Sequence, residues 1–315
     1  MEIWLDASVS EVSSLPEGAS RIWDGSAPDV AEVTLDDYQG QDEARSLIGM
    51  VPWVLIRSSD WTMIPLENLV AAASGSGTKL AAAMSRIIDL NGAAFALQHG
   101  VDAVLLPPES DSEGLWSAAR RLVTPVGVAT DEIPPIELSS ATVSSIESGG
   151  VGERVCVDLI ERLSTGEGMA IGSSSRSLCL VHGETLPSEY VPSRPFRVNA
   201  GAVHAYALMA NGSTKYLSEL QSGDEVAVIS RDGSQRTAVI GRLKIERRPF
   251  LAVRFRYGST EGQIIAQQAE TVRMVSSRGE PVSVTELTPG DEILVRIDGS
   301  MRHMGQAVPG EVSER

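Results

Sequence analysis

The segment Ser-Glu-Leu-Gln-Ser-Gly-Asp-Glu-Val-Ala-Val at 218–228 returns 67 residues later as Thr-Glu-Leu-Thr-Pro-Gly-Asp-Glu-Ile-Leu-Val at 285–295. Nine of the eleven positions are identical or similar. In each copy glycine and aspartate stand at a bend and an apolar, β-favouring run follows, which reads as a turn feeding a strand. Two related small β units are therefore expected, with the acidic residues serving as turn formers rather than catalysts.

Outward from the repeat the same texture continues. Short apolar runs at 154–158, 169–171, 178–182, 196–198, 225–229, 238–244, 251–255, 263–266 and 292–297 are separated by Gly, Asp and Pro turns, the pattern of an antiparallel sandwich or barrel. Upstream the texture differs. Strand-like runs at 3–5, 53–56, 79–83, 103–106 and 126–129 alternate with helix-length amphipathic stretches at 41–48, 65–73, 85–98 and 111–122. Such alternation predicts parallel βα units, forming a partial barrel-like sheet. Ser85 is the expected cap of the third helix. Arg57, Ser58, Ser59 and Asp60 follow a strand end, where parallel α/β folds carry chemistry. The stretch DEIPPIELS (131–139) closes the alternation, giving an α/β domain over 1–135 and a β-rich domain over 136–315.

The chain has 315 residues, with 42 acidic against 26 basic side chains, net −16, and a 42% hydrophobic fraction that excludes wholesale disorder. No apolar run approaches a membrane span and the first residues are acidic, so a cytoplasmic protein without membrane association is expected. Cys156 and Cys179 make no disulfide framework and read as reduced core thiols. Residues 1–150 hold 22 acidic and 7 basic side chains, net −15, whereas 151–315 hold 20 and 19. An anionic ligand therefore belongs with the second half. Its most basic stretch, 231–256, carries eight Arg and Lys against two acids. The acidic remainder and the lack of interleaved aromatics argue against nucleic acid, and leave a strand face paired with the acidic first half as the expectation. Only Lys79, Lys215 and Lys244 could form a Schiff base.

Chemistry-bearing residues concentrate in the second half. His182 and Glu184, in VHGE, share a strand face by the two-residue period. His204 and His303 stand among glycines and polar residues. Residues 166–175, GEGMAIGSSS, read as a flexible loop whose N–H groups could approach an anion, through Gly166, Glu167, Gly168, Ser173, Ser174 and Ser175. It is not a P-loop, and Gly-Gly-Val-Gly at 149–152 is not a dinucleotide fingerprint. Arg194 and Arg197 beside Asn199 suit either a bidentate carboxylate clamp or a structural ion pair. A divalent metal stays open on residue types, but no ligand spacing indicates one.

GEGMAIGSSSRSLCLVHGET, RPFRVNAGAVHAY, YLSELQSGDEV, VIGRLKIERRPF, QQAETVRM and RHMG, taken in order, resemble the archaeal type II 3-dehydroquinate synthase family, densely over about 150–305 and more loosely through DWTMIPLENLVAA (60–72) and LQHGVDAVLL (97–106). The resemblance implies NAD-dependent oxidative deamination and cyclisation of 2-amino-3,7-dideoxy-D-threo-hept-6-ulosonate to 3-dehydroquinate, with loss of ammonia, in the shikimate route to aromatic amino acids. That reaction needs a hydride acceptor, a base, a donor to developing oxyanions and a carboxylate clamp. The roles expected are acid/base work for His182, Glu184, His204, Lys244 and Glu246, and substrate binding for Arg194, Arg197, Asn199 and His303. The segment 166–175 would hold NAD. A small-molecule C7 amino ketone is the partner implied, and a homo-oligomer is compatible with the sequence. Three departures from the family pattern stand out: Gln268 replaces a shorter amide, Met304 an aromatic, and Gly183 a serine. A related reading within the superfamily is a 3-amino-4-hydroxybenzoate synthase-like enzyme acting on a phosphorylated C7 amino compound, without net hydride loss. A non-catalytic β-barrel module binding an anionic partner through 231–256 is the reading from a different class.

Overall fold

The computed structural model describes residues 1–8, 15–59, 63–123, 134–188, 191–298, 301–303 and 306–308. The chain divides into two compact units, Met1–Asp131 and Glu132–Arg315.

In the first unit the strands are β1 (Glu2–Asp6), β2 (Arg21–Trp23), β3 (Val30–Thr34), β4 (Trp53–Arg57), β5 (Lys79–Ala83) and β6 (Ala103–Leu106); the helices are α1 (Tyr38–Leu47), α2 (Met63–Ala73), α3 (Ile87–Phe95) and α4 (Glu113–Val123). All six strands run parallel in the order β2-β1-β6-β5-β4-β3. Both faces are buried, which is why β4 and β6 read as unbroken apolar runs. Ile3, Leu5, Val54, Ile56, Leu80 and Leu106 pack toward the helices, whereas Trp4, Trp23, Trp53, Leu55 and Leu105 form a second cluster on the opposite face. The Trp4 and Trp53 rings lie 4.6 Å apart although two strands separate β1 from β4, so the sheet curls into a half-barrel that the tryptophans fill.

Asp37 caps α1 by accepting from the Gly40 N–H at 2.8 Å. Ser85 does not cap α3. The N-cap is Arg86, without a side-chain cap bond, and its guanidinium instead pairs with Asp89 in the first turn. The sequence reading missed β2 and β3 because both are short and half exposed. The strand expected over 126–129 lies outside the described residues.

The second unit contains β7 (Ser139–Leu159), β8 (Glu167–Ser174), β9 (Ser177–His182), β10 (Arg197–Ala202), β11 (Tyr206–Leu208), β12 (Thr214–Tyr216), β13 (Glu225–Ser230), β14 (Gln235–Tyr257), β15 (Thr260–Gln267), β16 (Arg273–Val275), β17 (Pro281–Ser283) and β18 (Glu292–Ile297). A two-stranded ribbon, β19 (Met301–His303) with β20 (Gln306–Val308), follows. Pairing runs β8-β13-β14-β7-β18-β9 and returns to β8, a closed antiparallel barrel. Closure leaves these six strands no free edge.

The 67-residue echo is built into the pairing. β11, β12 and β13 match β16, β17 and β18 at that offset, and even the isolated bridges, Met209 to Val226 and Ser276 to Ile293, correspond. β8 pairs with β11 and β13 as β9 pairs with β16 and β18. Each unit is completed by the other: β13 closes on β14, and β18 on β7. Val155, Val157, Met169, Val181, Val198, Val226, Val253 and Ile293 fill the interior, at roughly 1.5–3 kcal/mol for each fully buried side chain.

The loop expected over 166–175 is mostly strand β8, because the small residues there permit close backbone approach. A Cβ on Gly168 would stand 1.9 Å from the Val181 carbonyl oxygen of β9. The basic stretch 231–256 lies in and beside β14, and its ion pairs stay within the second unit. Arg236 pairs with Glu161 and Glu167, Arg242 with Asp158, and Arg254 with Glu147. Of these carboxylates only Glu147 belongs to the acidic first 150 residues; Asp158, Glu161 and Glu167 lie beyond them.

Candidate active site

Along the last turnings of β7, side-chain alternation separates two environments. Val155 and Val157 enter the barrel core, while Arg154, Cys156 and Asp158 face the other way. β10 adds Arg197 opposite Asp158 and Asn199 opposite Cys156; β14 adds Lys244 opposite Cys156 and Glu246 opposite Arg154. Residues 39 to 113 positions apart in sequence thereby meet on one face.

Arg197 grips Asp158 with two bonds, Nε to Oδ1 at 2.6 Å and Nη2 to Oδ2 at 2.9 Å, both partners buried. Arg242 binds the same carboxylate from the solvent side. Two guanidinium groups hold Asp158 below the usual carboxylate range against the opposing effect of burial. Of the alternatives for Arg197, this is the ion-pair geometry: its Nε and Nη2 are committed within the protein. Arg194 turns to Glu184, donating from Nη1 to Oε2 at 3.0 Å. Glu184 is buried and acts electrostatically on both Cys156 and Arg197, so it belongs to this cluster.

Arg154 is the centre of the network. Its Nη1 donates to Gln267 Oε1 at 2.6 Å, its Nη2 donates to Glu246, and its buried Nε has no partner. Asn199 donates from Nδ2 to the same Gln267 oxygen at 2.8 Å, and its buried Oδ1 has no partner. One donor and one acceptor are thus left open in a buried network, an arrangement that costs free energy unless a ligand or water meets them. Glu246 also receives Lys244 at 3.0 Å and Arg248 at 3.2 Å. The Lys244 bond is the chief cause of its depressed pKa. Six cationic side chains surround three carboxylates, a surplus suited to an anionic ligand. Burial pushes the Cys156 thiol up to about 11, so it is neutral there.

The remaining expected residues stand apart. His182 is buried and accepts the Gly166 N–H at Nε2, 2.8 Å. Burial first, and Arg273 second among the depressing causes, lower its pKa to about 4, against a Gly183 backbone contact that raises it. A neutral imidazole of this kind donates a hydrogen bond rather than taking up protons at neutral pH. Glu167 is occupied by Arg236 and by the Ser164 N–H. Ser173 lies 3.4 Å from Nε2 of the exposed His204, Ser174 accepts from the Arg176 N–H, and Ser175 is buried. Gly168 pairs with β9 and β13, Ser174 pairs with Ser177 of β9, and the Gly166 N–H is taken by His182. The side chain of His303 lies outside the described residues. A surface cleft of about 440 Å³ lined by Ser277, Arg278, Glu280 and Asp291 contains none of the expected site residues. In the first unit Arg57 is spent on Asp6 and Glu32, the Ser59 N–H on Asp36, and Asp60 lies outside the described residues.

Sequence reading missed Arg154, Asp158 and Gln267 as site residues. Gln267 stood in a quoted motif, and the two-residue period from Cys156 would have flagged Arg154 and Asp158.

Family models for the 3-dehydroquinate synthase II N-terminal and C-terminal domains match residues 6–114 and 140–315. The chain belongs to the 3-dehydroquinate synthase II family. It is 42% identical over 299 residues, 95% of the chain and 78% of the relative, to a 3-dehydroquinate synthase of Methanothermobacter thermautotrophicus. Relatives of the same name in Methanothrix thermoacetophila and Methanocaldococcus jannaschii are 43% and 41% identical, covering 84% and 85% of the chain and 71% and 72% of their own length.

Two departures from the family pattern have a local setting. A Cβ at Gly183 would stand 2.5 Å from Leu163 Cδ1, so Leu163 packs into the room a serine would need. Gln268 is exposed beside Gln267, where a longer amide meets solvent rather than the network. Met304 lies outside the described residues.

Proposed function

We propose that the chain catalyses the NAD-dependent oxidative deamination and cyclisation of 2-amino-3,7-dideoxy-D-threo-hept-6-ulosonate to 3-dehydroquinate, with release of ammonia. The observation that carries this reading is the family match across both units, with curated relatives that bear the name 3-dehydroquinate synthase. The cationic face of β7, β10 and β14 supports it, because the substrate carries a carboxylate and polar carbons.

Arg154 Nε–H and Asn199 Oδ1 offer one donor and one acceptor side by side through Gln267, which suits an amine or hydroxyl that both gives and takes a hydrogen bond. The surplus of Arg and Lys charge orients the carboxylate. Lys244 and Glu246 form a proton-carrying pair: the ammonium donates to an oxygen that gains charge, and the carboxylate takes a proton from carbon. Within 166–175, Glu167, Gly168 and Ser174 are paired in the sheet, so a dinucleotide held by this segment would meet it through side chains and the unpaired positions around Ser173 and Ser175. The open buried donors of His182 and Arg273 do fit a phosphate oxygen. NAD, when bound, accepts the hydride from the amine-bearing carbon.

The test is to mix purified protein with the C7 amino ketone and NAD, follow reduced nicotinamide by absorbance, and identify products by mass. Equal yields of reduced cofactor, 3-dehydroquinate and ammonia are expected. An aromatic amine formed from the phosphorylated analogue without cofactor reduction would overturn the reading. Asn199→Ala and Arg154→Lys should each raise KM by roughly tenfold or more, through loss of a hydrogen bond to a charged or polar substrate group.

A further inference from the structure

His182 closes β9 and Arg273 opens β16, and the pairing of Met274 with Val181 sets these two residues opposite one another. His182 is 2% exposed. Because Nε2 accepts from the Gly166 N–H, the ring proton of the neutral imidazole sits on Nδ1, and Nδ1 is buried with no hydrogen-bond partner. A backbone hydrogen-bonding contact from Gly183 raises the ring's pKa, but no partner lies within bonding geometry of Nδ1. Arg273 is half-buried, acts electrostatically on His182, and its Nη1 is likewise buried without a partner. Among the described residues no carboxylate pairs with Arg273.

Two donors from adjacent strands, one of them cationic, therefore meet no acceptor. Burying a donor unsatisfied is costly, and burying a guanidinium without a counter-charge more so. A carboxylate of the protein would relieve both, yet Glu167, between Gly166 and Gly168, is taken by Arg236 and Glu184 by Arg194. The stem of Arg231 lies against Gly166, 3.4 Å from where a Cβ would stand, adding positive charge beside the histidine's bonding partner.

We propose that His182 Nδ1–H and Arg273 Nη1–H together hold an oxyanion oxygen of a bound ligand. The pair is acceptor-seeking only: it offers two N–H groups and no lone pair, so it selects a phosphate or carboxylate over an amine or alcohol. Two sources share that chemistry, the diphosphate of the nicotinamide cofactor and the carboxylate of the C7 substrate. Naming those two sources rests on the proposed function, whereas the oxyanion site does not. His182 becomes a binding residue that donates in its neutral form, in place of the proton shuttle expected from sequence.

The experiment is calorimetric binding of inorganic pyrophosphate and of 3-dehydroquinate to the full chain, in wild type, Arg273→Met and His182→Gln. Glutamine keeps an acceptor for Gly166 at the end of its side chain and leaves no N–H at the Nδ1 position. At least tenfold weaker pyrophosphate binding in both variants, with dehydroquinate unaffected, assigns the site to phosphate; the converse assigns it to the carboxylate. In wild type the bound anion should also move the His182 Nδ1–H resonance in NMR spectra, a signal identified by its absence from His182→Gln. Unchanged affinity for both probes in variants that keep the wild-type melting temperature overturns the proposal, as does failure of both probes to bind the wild type. The turnover assay is read separately: a catalytically inactive wild type that still binds pyrophosphate through these residues would sink the proposed function and leave the oxyanion site standing.

Discussion

Replacing His182 with glutamine should remove a loss of stability that the native protein suffers between pH 6.5 and 4.5. The imidazole is 2% exposed, and its pKa is lowered from 6.5 to about 4 by burial and then by Arg273. As pH falls through 6.5 the unfolded chain takes up a proton that the folded chain refuses until about pH 4, so the unfolded state gains and stability drops. At 1.36 kcal/mol for each pKa unit, the loss from pH 7 to pH 4.5 comes to about 2 kcal/mol. Asp158, Glu167 and Glu246 have depressed values, so their contributions fade only below the unfolded carboxylate range and leave the upper window to histidine. In a unit of roughly 180 residues this corresponds to about 5 °C in Tm. Urea unfolding of both proteins at the two pH values, followed through tyrosine and sheet circular dichroism, gives the comparison. All five tryptophans lie in the first unit, so tryptophan fluorescence reads that unit separately. Equal losses in wild type and His182→Gln between pH 7 and 4.5 would refute a buried neutral imidazole.

Other positions give sharper contrasts. Gly168→Ala should cost more than about 3 kcal/mol or prevent folding, since its Cβ would overlap the Val181 carbonyl, and the urea midpoint reports this. Arg197→Met should destabilise by about 3–5 kcal/mol by stripping a buried partner from Asp158. Arg242→Met, which removes a largely exposed arm from the same carboxylate, should cost under about 1 kcal/mol in the same melts. Cys156, with its thiol near 11, and the buried Cys179 should resist an aromatic disulfide reagent at pH 7.5 in the native state and react on unfolding; fast native labelling of either would contradict their burial.

Local pattern made much of this protein readable. β5 and β6 fall where apolar runs of strand length placed them, and the turn at Gly223 and Gly290 recurs because a bend before a strand is written in neighbouring residues. The short edge strands β2 and β3 escaped because half-exposed segments carry little periodic signal. Residues 166–175 misled for a physical reason. Glycine and serine permit a loose loop, but they also permit the close strand approach at Gly168 that the barrel requires.

The sequence by itself determined the two textures, the 67-residue duplication and the family, since each depends on residue type and spacing along the chain. It also grouped Arg194, Arg197 and Asn199 around one strand. Only the tertiary structure decided that Arg197 is spent on Asp158, that Arg154, Gln267 and Glu246 complete the polar face, and that His182 turns toward Arg273 instead. Alternation of side chains is a property of one strand, but which strands lie side by side is set by barrel closure across a hundred residues. The chemistry of each charged group follows from that neighbour.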